Sequence, residues 1–155
     1  LIKDYPMLLR ILSLASLATF ALGAQAASCE ATIDGTDMMT YSVQTLEAGR
    51  SCQTFTLHLT HSGNMPKSVM GHNWVLAKAS DAEAIDADGG SAGFDQDYLK
   101  PKDPRVIAHT RLIGGGEADS VTFSLGALKS DEAYEFFCSF PGHRTLMKGV
   151  FKIVG

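Results

Sequence analysis

Basic charge is scarce in this sequence. Thirteen Lys and Arg stand against seventeen Asp and Glu, a net charge of −4. No broad basic face is available to a phosphate backbone, so nucleic acid is excluded as a partner. Cysteine is scarce too, and odd in number: three residues allow one bridge and leave one thiol for other work. There is no internal repeat, no low-complexity tract and no H-x-H pair among the five histidines. Charged residues make up 19% of the chain and apolar ones 45%, which excludes a disordered or collagen-like chain and suits one globular domain. Only one long apolar run occurs, and it lies at the N-terminus.

That run, Ile11 to Leu22, carries no charge, follows Lys3 and Arg10, and is followed by Ala24-Gln25-Ala26. The order matches a secretory signal peptide with a small-residue cleavage site. About twelve apolar residues fall short of the roughly twenty that span a bilayer. Residues 1–26 are therefore expected to be removed, with residues 1–6 upstream of the true start at Met7, leaving one domain over 27–155. Cleavage takes away Lys3, Arg10 and Asp4 and shifts the net charge from −4 to −5. The expected product is acidic, has no membrane span and resides in an oxidising space, the periplasm in a bacterium.

The rest reads as short strands. From Thr54 to His61 the chain alternates strictly, with Phe55, Leu57, Leu59 and His61 on one face and Thr54, Thr56, His58 and Thr60 on the other. Val121, Phe123 and Leu125 repeat the pattern, as do Tyr134, Phe136 and Cys138, and more weakly Gly149, Phe151 and Ile153. Turn signals fall between them at Ser62-Gly63-Asn64, Gly114-Gly115-Gly116 and Lys129-Ser130-Asp131. One segment departs from this: Ser80-Asp81-Ala82-Glu83 has the form of a capping box and predicts a short helix starting at Asp81 and ending at Asp88-Gly89-Gly90. The stretch from there to Pro104 reads as a surface excursion. The expectation is an all-β sandwich with one short helical insertion.

Cys29 and Cys52 are expected to pair, since each lies near a strand end and neither has a His or Cys nearby to complete a metal site. Such a bridge stabilises by roughly 3 kcal/mol. The remaining thiol belongs to the run Cys138-Ser139-Phe140-Pro141-Gly142-His143-Arg144-Thr145-Leu146-Met147. Thiolate, imidazole and thioether share one loop at the spacing C-x4-H-x3-M. Singly, each has a bland reading as core cysteine, surface histidine and gap-filling methionine. Together they supply three of the four donors of a blue copper site, two His, one Cys and a weak Met. Strand parity makes His58 solvated and His61 a core histidine; His109 has no sulfur donor nearby. His72, after Gly71 at the start of an apolar strand, is the best fourth ligand.

At these residues the chain resembles the azurins, bacterial members of the cupredoxin family. The resemblance runs through residues 64–76 (Asn64 to Leu76, including Gly71-His72-Asn73-Trp74), Asp97-Tyr98-Leu99-Lys100-Pro101, 105–110, and Phe136-Phe137-Cys138-Ser139-Phe140-Pro141-Gly142-His143. It implies an eight-stranded Greek-key β-sandwich carrying one type 1 copper. His72, Cys138 and His143 would be the close ligands, Met147 and the carbonyl of Gly71 the weak axial ones. Asn73 would tie the two ligand loops together, and the family bridge falls on Cys29 and Cys52. Departures are few: Arg144 and Thr145 stand where small residues are usual, and Gly90 replaces a usual Met.

The function implied is single-electron transfer through a Cu(I)/Cu(II) couple, not catalysis. A copper oxidase would need a second, histidine-rich centre that five histidines do not provide. A copper storage or delivery protein is the alternative, and would hold its metal in an exposed site. Met39, Met65, Val69, Met70, Phe140, Pro141 and Leu146 cluster in sequence around the ligand loops. Their bland reading is core; the resemblance makes them an apolar docking patch for redox partners such as c-type cytochromes or nitrite-reducing enzymes, with Arg144 a cation beside it.

Overall fold

A computed structural model describes residues 28–155; the export-signal reading of residues 1–26 lies outside them. Nine strands are present among the described residues: β1 (Glu30–Thr36), β2 (Thr40–Tyr41), β3 (Thr45–Gly49), β4 (Thr54–His61), β5 (Val75–Lys78), β6 (Val106–His109), β7 (Ala118–Ser124), β8 (Tyr134–Phe137) and β9 (Lys148–Val154). They form two sheets, in the orders β2-β1-β4-β7 and β3-β9-β8-β5-β6. β1 runs parallel to β4 and β3 parallel to β9, while the other pairings are antiparallel. Neighbours in space are mostly not neighbours in sequence, the connectivity of a Greek-key sandwich. The count exceeds the expected eight by β2, a two-residue strand too short to show an alternating pattern.

The core forms where inward rows of the two sheets meet. Phe55, Leu57 and Leu59 of β4 are fully buried, as the alternation predicts, and His61 completes their row. They face Phe136 of β8 and Phe151 of β9, with Trp74 buried between the layers. Phe55 meets Phe151 edge-on at 5.2 Å, and Trp74 stacks on Phe136 at 6.0 Å. Cys29 and Cys52 are bonded, which ties the start of β1 to the segment before β4.

Two short helices accompany the strands, α1 (Lys67–Met70) and α2 (Ala82–Ala92). α2 covers the outer face of the five-stranded sheet, where Ala82 and Ile85 pack with Val75, Ala77, Leu99 and Phe137. Two details of the helix differ from the sequence reading. It begins at Ala82 with Asp81 as cap, and no side-chain cap bond forms. It also runs through Gly89-Gly90 and stops only at Gly93, whose φ of +80° ends it. Gly89 is there for close approach: a β-carbon on it would lie 2.0 Å from the Tyr98 carbonyl oxygen. The segment following α2 is anchored by buried Leu99 and by Asp103, which Arg105 holds together with Asp88.

Candidate metal centre

Two loops at one end of the sandwich carry the donor residues. The first follows α1, which Pro66 opens: its carbonyl accepts from the amides of Val69 and Met70. The chain then passes Gly71, where any β-carbon would strike the Lys67 carbonyl oxygen at 2.4 Å, so only glycine lets the backbone through. His72 pairs with Ile113 through reciprocal backbone bonds of 2.9 and 2.8 Å. The second loop leaves β8 at Cys138, turns at Pro141-Gly142, and makes a 3-10 turn over His143–Thr145. The amides of Leu146 and Met147 both donate to the His143 carbonyl, and the Cys138 amide donates to that of Met147 at 3.0 Å, closing the loop on itself.

These loops bring His72, Cys138 and His143 together. Cys138 Sγ lies 4.0 Å from His72 Nδ1, 3.7 Å from His143 Nδ1 and 3.8 Å from the Gly71 carbonyl oxygen. The three donor atoms all fall within 4.8 Å of one another, and all three residues are buried. Met147 is fully buried at the point where the loop returns to Cys138. His72 Nε2 donates to the Thr36 carbonyl at 2.9 Å, which puts the ring proton there and leaves Nδ1 a free lone pair.

Asn73 joins the loops, as expected. Its Oδ1 accepts from the Ser139 amide at 2.9 Å, and its Nδ2 donates to Ser139 Oγ at 2.8 Å and to the Asp97 carbonyl at 3.0 Å. The Tyr41 hydroxyl donates to the Asn73 carbonyl, and Thr110 Oγ1 accepts from the Trp74 amide. The sequence reading missed Tyr41, Thr110 and Ser139, because partners up to 66 residues apart leave no local pattern.

Burial pushes the His143 imidazolium down to about 4, with His72 and His61 adding repulsion. His72 is lowered for the same reason, against its bond to Thr36. Burial pushes the Cys138 thiol up to about 12, although backbone hydrogen bonds from Asn73 and Phe140 work to stabilise its anion. The site thus offers two neutral imidazoles and a thiol whose anion lacks a counter-charge. A soft cation supplies that charge, and the donor set fits copper.

His58 and His61 lie on the faces that strand parity gives them. His61 is buried and bonds Asp37 at 3.2 Å. His58 is half-buried on the outer face of β4, beside Glu30 and Ser120, and His109 is exposed at the end of β6. The apolar set is mixed: Met65, Val69, Pro141 and Leu146 are exposed, whereas Met39, Met70 and Phe140 are half-buried. Met39 and Phe140 pack on the main core, so the bland reading holds in part for them. Phe140 lies 4.5 Å from the His143 ring, and Met38, absent from the expected set, is more exposed than Met65, Val69 or Leu146. Arg144 is not a free cation: its guanidinium binds Glu135 at 2.9–3.0 Å.

Residues 27–154 match the family of copper binding proteins described as the plastocyanin/azurin family. Among curated relatives, the chain is 57% identical over 123 residues to azurin from Pseudomonas chlororaphis, covering 79% of this chain and 96% of that protein. It is 50% identical over 141 residues to azurin from Bordetella pertussis, covering 91% and 94%. It is 50% identical over 143 residues to azurin from Pseudomonas aeruginosa, covering 92% and 97%.

Proposed function

The chain belongs to the plastocyanin/azurin family of copper-binding proteins, and from that premise we propose that it carries single electrons between redox partners on one copper held by His72, Cys138, His143, Met147 and the Gly71 carbonyl. The observation that carries this reading is the cluster of Nδ1, Sγ and Nδ1 atoms within 4.8 Å, buried at the junction of two loops. When bound, copper supplies one-electron chemistry by alternating between two oxidation states. The chain's own part is to hold the donors still. Asn73 and Ser139 fix the distance between the loops, and the Thr36 carbonyl fixes the tautomer and tilt of His72. Cys138 would hold the metal as its thiolate, its proton released to solvent, and its burial would keep water from the sulfur.

The same burial separates this reading from its rivals. A storage site must be accessible, and a nucleophilic thiol needs exposure and a lowered pKa. Cys138 is fully buried, with its thiol held up at about 12.

Exposed Met65, Val69, Pro141 and Leu146, with Phe140 against His143, form the docking surface of this reading; its partners are one-electron carriers such as c-type cytochromes and nitrite-reducing enzymes. The protein reaches the periplasm through cleavage after Ala26, a reading the Cys29–Cys52 bridge supports because such bonds persist in oxidising spaces. Intact-mass analysis of exported material tests the cleavage. Titration with copper(II) tests the carrier: an intense visible band saturating at one equivalent, bleached and restored by one-electron reagents, supports it. A pale or colourless complex overturns it.

A further inference from the structure

Arg144 follows His143 directly, yet its side chain turns away from the apolar surface and reaches back to β8. Its Nε and Nη2 lie 3.0 and 2.9 Å from Glu135 Oε1, both side chains being 19% exposed. Its Cζ stands 5.6 Å over the ring of Phe137, which is fully buried in the cluster beneath α2. Asp86 of α2 lies near enough for Arg144 and Glu135 to act on its carboxyl in opposite senses. One guanidinium therefore links the His143 turn to the strand that delivers Cys138.

We propose that the Arg144–Glu135 pair, with Asp86 beside it and Phe137 beneath it, is a positioning clamp that holds the His143 turn against β8 and sets the potential of the metal centre. The proposal rests on the copper reading above. Glu135 is three residues before Cys138 and Arg144 one after His143, so the pair spans both stems of the donor loop. A charge-assisted hydrogen bond in a half-buried place resists opening of that loop more than an exposed pair does. Losing Arg144 also leaves two acids uncompensated beside the site, which favours the more highly charged oxidised metal.

The test uses the copper-loaded, reduced full chain for hydrogen exchange by NMR, and the same proteins for potential. Arg144→Gln is expected to speed exchange of the Leu146 and Met147 amides about tenfold, the factor that 1.4 kcal/mol represents. The Leu57 amide in β4 should stay unchanged, and the potential should fall. Glu135→Gln should speed the same two amides but raise the potential, because the charge it removes is of opposite sign. Arg144→Lys keeps the charge but not the planar guanidinium and its Nε–H donor, so the amides should loosen with the potential near native. Unchanged exchange in Arg144→Gln and Glu135→Gln, acceleration that includes Leu57 equally, or potentials moving in the same direction in both variants would each overturn the clamp. Failure of the copper reading is seen separately, as a wild-type protein without the intense band; exchange in the metal-free chain then still judges whether the pair holds the loop.

Discussion

At Cys138 burial and backbone hydrogen bonding pull in opposite directions, and burial wins: the thiol stays protonated until a cation is present. Cys138→Ser should therefore remove the intense visible absorption while far-ultraviolet circular dichroism shows the sandwich intact. Colour retained in that variant would discard the thiolate as donor. Met147→Leu nearly conserves volume in a buried place and should keep copper bound, yet raise the midpoint potential in voltammetry, because losing a weak sulfur donor costs the oxidised state more. An unchanged or lowered potential would remove Met147 from the donor set. The cluster of His72, Cys138 and His143 was legible in the sequence because thiol and imidazole are uncommon and two of them share one loop with a thioether. Their supports were not. Thr36 acts through a backbone carbonyl, which every residue has, and Glu135 is recognisable as the partner of Arg144 only once β8 and the 3-10 turn are packed side by side.

Among the elements, β4 was the most legible, since one face meets core and the other water along its whole length. α2 was read correctly in kind but cut short, because glycine signals both helix ends and close contacts, and only the Tyr98 carbonyl distinguishes them. The two adjacent glycines should separate these roles in urea unfolding. Gly90→Ala meets open space inside the helix and should stabilise by about 0.5–1 kcal/mol. Gly89→Ala should destabilise by about 1–3 kcal/mol despite the better helix former, because the helix must move off Tyr98. Equal effects at both positions would contradict the packing account. The short α1 had no signal at all: four residues after Pro66 give no period, and their role is to deliver Gly71 and His72.

For the whole molecule, the two sheets act as a frame whose far end is closed by Cys29–Cys52 and whose near end carries the donors and the apolar surface. Val69 is 57% exposed on that surface, so Val69→Lys should leave the unfolding midpoint near native and slow electron self-exchange at low salt, where two like charges meet. Native exchange rates in that variant would move the docking surface elsewhere. The fold as a whole was legible from alternation and turns, but the surface was not: from sequence alone Met39 and Met70 look as exposed as Val69. The most direct test of the central claim is diffraction at the copper absorption edge from crystals of the copper-loaded protein. The account predicts one anomalous peak per chain, bonded to His72 Nδ1, Cys138 Sγ and His143 Nδ1 beside Met147 and the Gly71 carbonyl. A peak at His58 or His109 with none at Cys138 would contradict it.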